Sequence, residues 1–262
     1  MRTMANVLWN ILIFTAWLGI TASAFSQNDK VQKLEQEIKS QAKKIQSQEG
    51  TIQGIVDSIN RLHPTGSCSI LKQKRPSTLS GVYKIYLRGL TSSVKVHCDM
   101  SSKNGVGVTE IGQDSESRTR VNGYEAPGSY NRTIKYDLPM EQIVAIIQQS
   151  QWCEQFIKYE CYHSKMWIYS QPYSWWVSRK GAKMNYWGGA AVGSEKCACG
   201  MTNSCAGGER RCNCDKNDFR LREDSGYLRD KDTLPVTELR FGETGSSSEY
   251  GYHTLGKLRC WG

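Results

Sequence analysis

Past residue 20 the chain lacks any apolar run of the roughly 20 residues that a membrane-spanning helix needs, and it shows no C-terminal hydrophobic tail of the kind that precedes a lipid anchor. No membrane span is therefore expected in the mature chain. Histidine is scarce as well. His63, His97, His163 and His253 stand in unrelated contexts, none inside a nucleophile-elbow or metal-binding motif. The stretch "GGAAVG" (188–193) lacks the Lys-Ser/Thr that completes a phosphate loop, so it reads as a turn. Catalysis is not expected, and no cofactor or metal is assigned. Acidic residues are outnumbered, 25 against 34 Lys and Arg, giving a net charge of +9. That excess suits polyanions.

Cysteine, by contrast, is plentiful, and its meaning depends on compartment. A basic start at Arg2 leads into an apolar run from Val7 to Ile20 and then "TASAF", with Ala22 and Ala24 at the small-residue positions of a cleavage site. Residues 1–24 are read as a signal peptide cut between Ala24 and Phe25. The run is too short for a retained anchor, and Asn10 interrupts it. A secreted, extracellular protein follows, whose polyanionic partners are sulfated glycosaminoglycans or acidic cell surfaces rather than nucleic acid. All 10 cysteines lie after that cut. In an oxidising compartment they read as a disulfide framework: Cys68, Cys98, Cys153, Cys161, Cys197, Cys199, Cys205, Cys212, Cys214 and Cys260. The rival, zinc at Cys197, Cys199, Cys212 and Cys214, is disfavoured because each pair has a one-residue gap where structural zinc wants two to four.

Residues 25–64 read as a coiled-coil stalk. With Val31 at position a, the a series is Val31, Ile38, Ile45, Ile52 and Ile59, and the d series is Leu34, Gln41, Gln48, Ile55 and Leu62. Eight of these ten slots are apolar, the pattern of a left-handed coiled coil. Pro64 ends it. Gly50 and Gly54 weaken the middle by about 1 kcal/mol each. Ile at a, with Ile and Leu at d, favours a trimer over a dimer, and Lys30–Glu35 and Lys44–Glu49 supply g-to-e′ pairs that suit a parallel homo-oligomer.

Residues 65–262 read as a single α+β head. "GVYKIYL" (81–87) and "VKVHCDM" (94–100) alternate as strands, "CEQFIKYEC" (153–161) has a period near two, and "LPVTELRF" (234–241) is another strand. "DLPMEQIVAIIQQS" (137–150) predicts a helix capped by Asp137 and carrying Ile143, Ile146 and Ile147 on one face.

"CSILKQKRPSTLSGVYKIYLRG…VKVHCDM" resembles the opening of a fibrinogen-like C-terminal domain. The rest, "MEQIVAIIQQSQWCEQFIKYECYHS", "YWGG", "CACG…SC…CNCD", "DSGYL", "LPVTELRFGET" and "LGKLRCWG", is similar to the fibrinogen-like domain of contactin-associated proteins of the neurexin IV group, and more distantly to the fibrillar collagen C-propeptide. The resemblance implies a disulfide-rich fibrinogen-like C-terminal domain, non-catalytic and used in cell adhesion, the extracellular matrix and recognition. Members of that group are long, membrane-anchored mosaics, whereas this chain has a stalk and one head. That layout is nearer to ficolin-like carbohydrate-binding lectins of innate recognition, which form the second functional reading.

Cys68 with Cys98 would close a loop of about 30 residues, worth on the order of 3–4 kcal/mol by chain entropy. The collagen-propeptide resemblance implies Cys161 with Cys260. The other six cysteines allow fifteen connectivities, with bridges between the two closely spaced pairs, or to Cys153, favoured over bridges within a pair. The resemblance also bears on calcium. Where the propeptide holds calcium with Asp and Asn, this chain has Tyr86 and Arg88, which do not replace those oxygen ligands. Asp215, Asp218, Asp230 and Asp232 are the other clustered candidates for calcium, and they read first as solvated loop carboxylates.

Among the aromatics, Trp152, Trp167, Trp175, Trp176, Trp187, Trp261, Tyr169, Tyr173 and Tyr186 are mostly core, with some able to line a ligand surface. "KQKR" (72–75) and "ERR" (209–211) are the densest basic spots. Asn131 in "NRT" is the glycosylation sequon, placed on a polar loop. The expected partner is an extracellular protein or glycan, with sulfated glycosaminoglycan among the candidates, bound by several heads at once.

Overall fold

The computed structural model describes residues 29–55, 58–59, 66–90 and 92–262. The signal peptide, its cleavage site, residues 25–28, Leu62, His63 and Pro64 lie outside the described residues. The chain divides into two compact units, residues 1–62 and 63–262.

In the first unit, residues 29–55 form one helix, α1. Val31, Leu34, Ile38, Ile45, Ile52 and Ile55 on it, and Ile59, which is also helical, are 51–66% exposed, so a single chain leaves the apolar stripe in water. No helix among the described residues is long and apolar enough to cross a membrane.

The second unit opens on helix α2 (Cys68–Lys74), capped by the Ser67 side chain accepting from the Ile70 N–H. Strands β1 (Gly81–Ile85), β2 (Val94–Asp99), β3 (Val108–Ile111) and β4 (Thr119–Val121) precede β5 (Tyr130–Thr133). Helix α3 (Met140–Gln149) leads to β6 (Trp152–Tyr162), then β7 (Trp167–Ile168), β8 (Gln171–Pro172), β9 (Trp175–Val177) and β10 (Lys183–Met184). After the one-turn helix α4 (Ala198–Met201) come β11 (Arg222–Leu228), β12 (Glu238–Phe241) and β13 (Tyr250–Trp261).

These strands make a seven-stranded sheet in the order β1-β2-β3-β13-β6-β11 with β4 also on β13, a four-stranded sheet β10-β9-β12-β5, and the β7–β8 hairpin. The long antiparallel pair β6–β13 is the spine, joining Trp152 to Trp261 at one end and Tyr162 to Tyr250 at the other. Its inward residues carry the core. Tyr159 stacks on Phe241 at 4.3 Å between ring centroids, and Phe241 on His253 at 5.7 Å. Ile143, Ile146 and Ile147 of α3 are fully withdrawn from water, each burial contributing about 1.5–3 kcal/mol. Buried indoles need a partner for their N–H. Trp176 donates to the Tyr186 carbonyl at 2.7 Å and Trp187 to the Asp224 carbonyl at 2.9 Å.

The structure departs from the sequence expectations in several places. Cys260 bridges Cys153, not Cys161, and Cys161 bridges Cys214. On the paired strands β6 and β13, Cys260 stands directly opposite Cys153, whereas Cys161 stands opposite Gly251 at the far end. The remaining bridges are Cys68–Cys98, Cys197–Cys212 and Cys199–Cys205. Helix α3 begins only after Pro139, which is extended at ψ 145°, so Asp137 lies too far upstream to cap it. The "LPVTELRF" strand is ordered into the sheet only from Glu238, because upstream the Val236 N–H donates to the Gln155 side chain instead. Asn131 lies in β5 rather than in a loop, opposite Arg240 of β12, with its residue exposed.

Candidate functional site

The five cysteines between residues 197 and 214 leave little regular structure around them, so the loop that they close takes its shape from sulfur and side chains. Cys197–Cys212 and Cys199–Cys205 tie the loop to itself, and Cys161–Cys214 anchors it to the end of β6. The loop thereby lies against the β7–β8 hairpin, and between them opens a cleft of about 650 Å³, walled by Lys165, Trp167, Tyr169, Arg210, Arg211 and Asp215.

Arg211 sets the geometry of this cleft. Its guanidinium carbon lies 4.5 Å from the centroid of the Trp167 ring, its Nη1 donates to the Tyr169 carbonyl, and its Nη2 lies 3.4 Å from Glu195 Oε2. The first two contacts fasten the hairpin to the cysteine loop. Tyr169 follows at the hairpin turn with φ 54°, a left-handed conformation that a bulky residue adopts only when its surroundings impose it, and its side chain is 94% exposed. Arg210 is exposed and forms no ion pair among the described residues.

Asp215 forms the floor, and here a sequence expectation is corrected. It is not a solvated loop carboxylate. Its Oδ1 accepts from the Met166 N–H at 3.2 Å and the Trp167 N–H at 2.9 Å, and its Oδ2 from the Cys212 N–H at 3.1 Å. Burial pushes its carboxyl up to about 7 despite those donors, with the nearby Asp224 carboxylate adding to the rise. Asp224 itself is buried, accepts from the Asn213 and Cys214 N–H groups at 2.9 Å each, and is pushed up to about 6, again by burial. The other acids of the expected group serve elsewhere. Asp218 pairs with Arg222 at 2.5 Å, and Asp230 accepts from the Asp232 N–H.

The cleft offers the exposed Tyr169 phenol, the Trp167 indole and three cations, Lys165, Arg210 and Arg211, against the carboxylates of Glu209 and Asp215, a set suited to holding an anionic, partly apolar ligand by charge and stacking. Cys197, Cys212 and Asp224 lie close enough to share a cation, but both sulfurs are committed to one disulfide and offer no thiolate. The structure thus brings "ERR" together with Trp167 and Tyr169, two readings that stood apart in the sequence. "KQKR" does not join them: it lies on α2, where the Lys72 Nζ donates to the Thr78 carbonyl at 3.0 Å. Trp176, Trp187 and Tyr186 are core, and Trp175 is capped by the Lys183 Nζ 3.7 Å from its ring centroid. Of the histidines, His253 is buried, with Nε2 2.8 Å from the Tyr130 hydroxyl, and His97 lies 3.0 Å from Glu110.

No family model matches the chain. It is 38% identical over 175 residues to neurexin-4 of Drosophila melanogaster, an alignment covering 64% of this chain and 14% of that protein. It is 35% identical over 170 residues to contactin-associated protein 1 of Homo sapiens and of Rattus norvegicus, covering 64% of this chain and 12% of each of those proteins. The chain therefore spans about an eighth of the length of these relatives.

Proposed function

Starting from a chain related to the fibrinogen-like domain of the neurexin IV group, we propose that it is a secreted, non-catalytic recognition protein of the adhesion and matrix class, whose heads bind an acidic extracellular ligand at the Arg210–Tyr169 cleft. The observation that carries this reading is the convergence on one cleft of cations and aromatics more than forty residues apart in sequence. Sulfated polysaccharide is the ligand that matches it best, because closely spaced sulfates meet Lys165, Arg210 and Arg211 while sugar faces stack on Tyr169. The unsatisfied stripe on α1 brings the heads together in a parallel coiled coil. Each head then binds weakly, and clustering raises avidity by roughly 10² to 10⁴.

The test is calorimetric titration of the full chain with a heparin oligosaccharide at two salt concentrations. Binding that weakens with salt and falls at least tenfold in a Lys165→Glu/Arg210→Glu variant supports the reading. Binding unchanged by that variant moves the ligand away from the cleft. Selective binding of neutral acetylated glycans, lost with a chelator, would favour the ficolin-like lectin reading instead.

A further inference from the structure

The backbone under the cleft is held in an unusual way. Three successive amides, those of Lys165, Met166 and Trp167, donate to carboxylates from two distant parts of the chain: Lys165 to Glu243 Oε2, and Met166 and Trp167 to Asp215 Oδ1. The stretch is bounded by His163 at φ 48° and Tyr169 at φ 54°, and Glu243 itself sits at φ 53°. Three side-chain-bearing residues in the left-handed region around one short segment mark a conformation imposed by its contacts. Those contacts are two acids.

We propose that Asp215 and Glu243 form a proton-operated latch: ionised, they clamp the 165–167 backbone and hold the Tyr169 lip of the cleft in its strained form; protonated, they release it. Hydrogen bonds from N–H groups to an ionised carboxylate are roughly twice as strong as those to a neutral one, so protonation of the acids in their buried places weakens what opposes the strain. Both acids are poised for this at near-neutral pH, each pushed up to about 7 chiefly by burial. The charged groups around them are of mixed sign. Asp215 faces Asp224 together with the cleft's Lys165, Arg210, Arg211 and Glu209, and Glu243 faces Lys165, Glu125 and Glu249. The two acids grip adjacent amides independently.

In calling the segment a lip of the binding cleft, the proposal rests on the reading above, and its test reads the segment without any ligand. The full chain, labelled with ¹⁵N, is titrated from pH 8 to pH 5 and the amide resonances of Lys165, Met166 and Trp167 are followed. The three are expected to move upfield with midpoints near neutrality, and their solvent exchange, corrected for intrinsic rate, to become at least tenfold faster at pH 5.5 than at pH 7.5. Glu243→Gln should abolish the titration of Lys165 alone, and Asp215→Asn that of Met166 and Trp167 alone. Three flat amides, or titrations that persist in both variants, overturn the latch. Should Asp215→Asn not fold, the wild-type titration and Glu243→Gln still decide. If the amides titrate as expected while no ligand binds the cleft, the latch stands and the functional reading falls.

Discussion

Gly188 and Gly226 pass each other backbone against backbone: a Cβ built on Gly226 would lie 2.5 Å from the carbonyl carbon of Gly188, and one built on Gly188 would lie 2.4 Å from that of Gly226. This contact lets Gly189 N–H reach the Tyr227 carbonyl at 3.1 Å and seats the Trp187 indole over β11. A methyl group at either position must push two backbones apart, and overpacking of this kind costs about 1–3 kcal/mol. Gly226→Ala is accordingly expected to lower the urea midpoint of unfolding without changing the ligand contacts. An unchanged midpoint would mean that the two segments can separate freely.

The bridge pattern makes a graded prediction. Cys153–Cys260 closes a loop of 107 residues and Cys199–Cys205 one of 6. By chain entropy the first constrains the unfolded state by about 4–5 kcal/mol and the second by about 2 kcal/mol. Replacing both members of each pair by Ser should therefore cost roughly twice as much at Cys153–Cys260, read from unfolding midpoints. A non-reduced digest should yield the Cys161–Cys214 linkage, and finding Cys161 joined to Cys260 would refute the arrangement.

Strands β1 and β2, whose burial alternates, are legible because burial on one face writes itself into a period of two, whereas β6 is buried in blocks of three residues. The Ile face of α3 was legible for the same reason at a period of 3.6. The pairing of Cys260 was not, since it depends on the β6–β13 register, and register is a relation between strands 100 residues apart. The glycines of "YWGG" and "DSGYL" were visible as motifs, yet their cause, two backbones in contact, exists only in three dimensions. The cleft was half legible. "ERR" and the Trp167–Tyr169 aromatics stand out in the sequence, but the disulfides that bring them together join cysteines whose pairing the spacing leaves open. The burial of Asp215 is invisible in the sequence because its donors are main-chain amides, which leave no trace in side-chain pattern.

His253 gives the fold an acid limit. It is wholly buried, stacked on Phe241 and bonded to Tyr130, and burial holds its imidazolium form down to about 4. The folded state refuses a proton that the unfolded chain accepts from about pH 6.5 downward, so this contribution is complete above that pH and is lost as pH falls toward 4. Asp215, Asp224 and Glu243 work in the opposite sense, their raised values making the fold relatively more favourable as pH drops from about 7 to 4. The histidine's share is isolated by comparing wild type with His253→Phe. The variant should be the less stable at pH 7.5, and the difference should shift in its favour by about 2–3 kcal/mol at pH 4.5. A difference constant with pH would show that His253 titrates normally.

Asn131 is exposed on β5, an edge strand of the four-stranded sheet, where an attached glycan would meet solvent rather than protein. Protein recovered from the medium of secreting cells should lose mass on treatment with an N-glycosidase, and Asn131→Gln should abolish that loss. A bulky glycan there would also block edge-to-edge pairing of heads. The unglycosylated variant is therefore expected to aggregate more readily on concentration, measured by light scattering.

The stalk carries the strongest quantitative demand for a partner. A solitary helix gains nothing from the exposed Val31, Leu34, Ile38, Ile45, Ile52 and Ile55, while burying each large aliphatic side chain contributes about 1.5–3 kcal/mol. Association costs an estimated 4–15 kcal/mol, so the stripe exceeds it only when most of its length is engaged at once. Two central charges should suffice to undo it. Sedimentation equilibrium of the mature chain at micromolar concentration should give three times the mass of one chain, and Ile45→Lys/Ile52→Lys should return it to one. A mass of two chains would correct the expected stoichiometry, with the mixed Ile and Leu of the d layers then packing as a dimer. A mass of one chain for the unaltered protein would remove the oligomer altogether, and with it the avidity on which a weak-binding head depends.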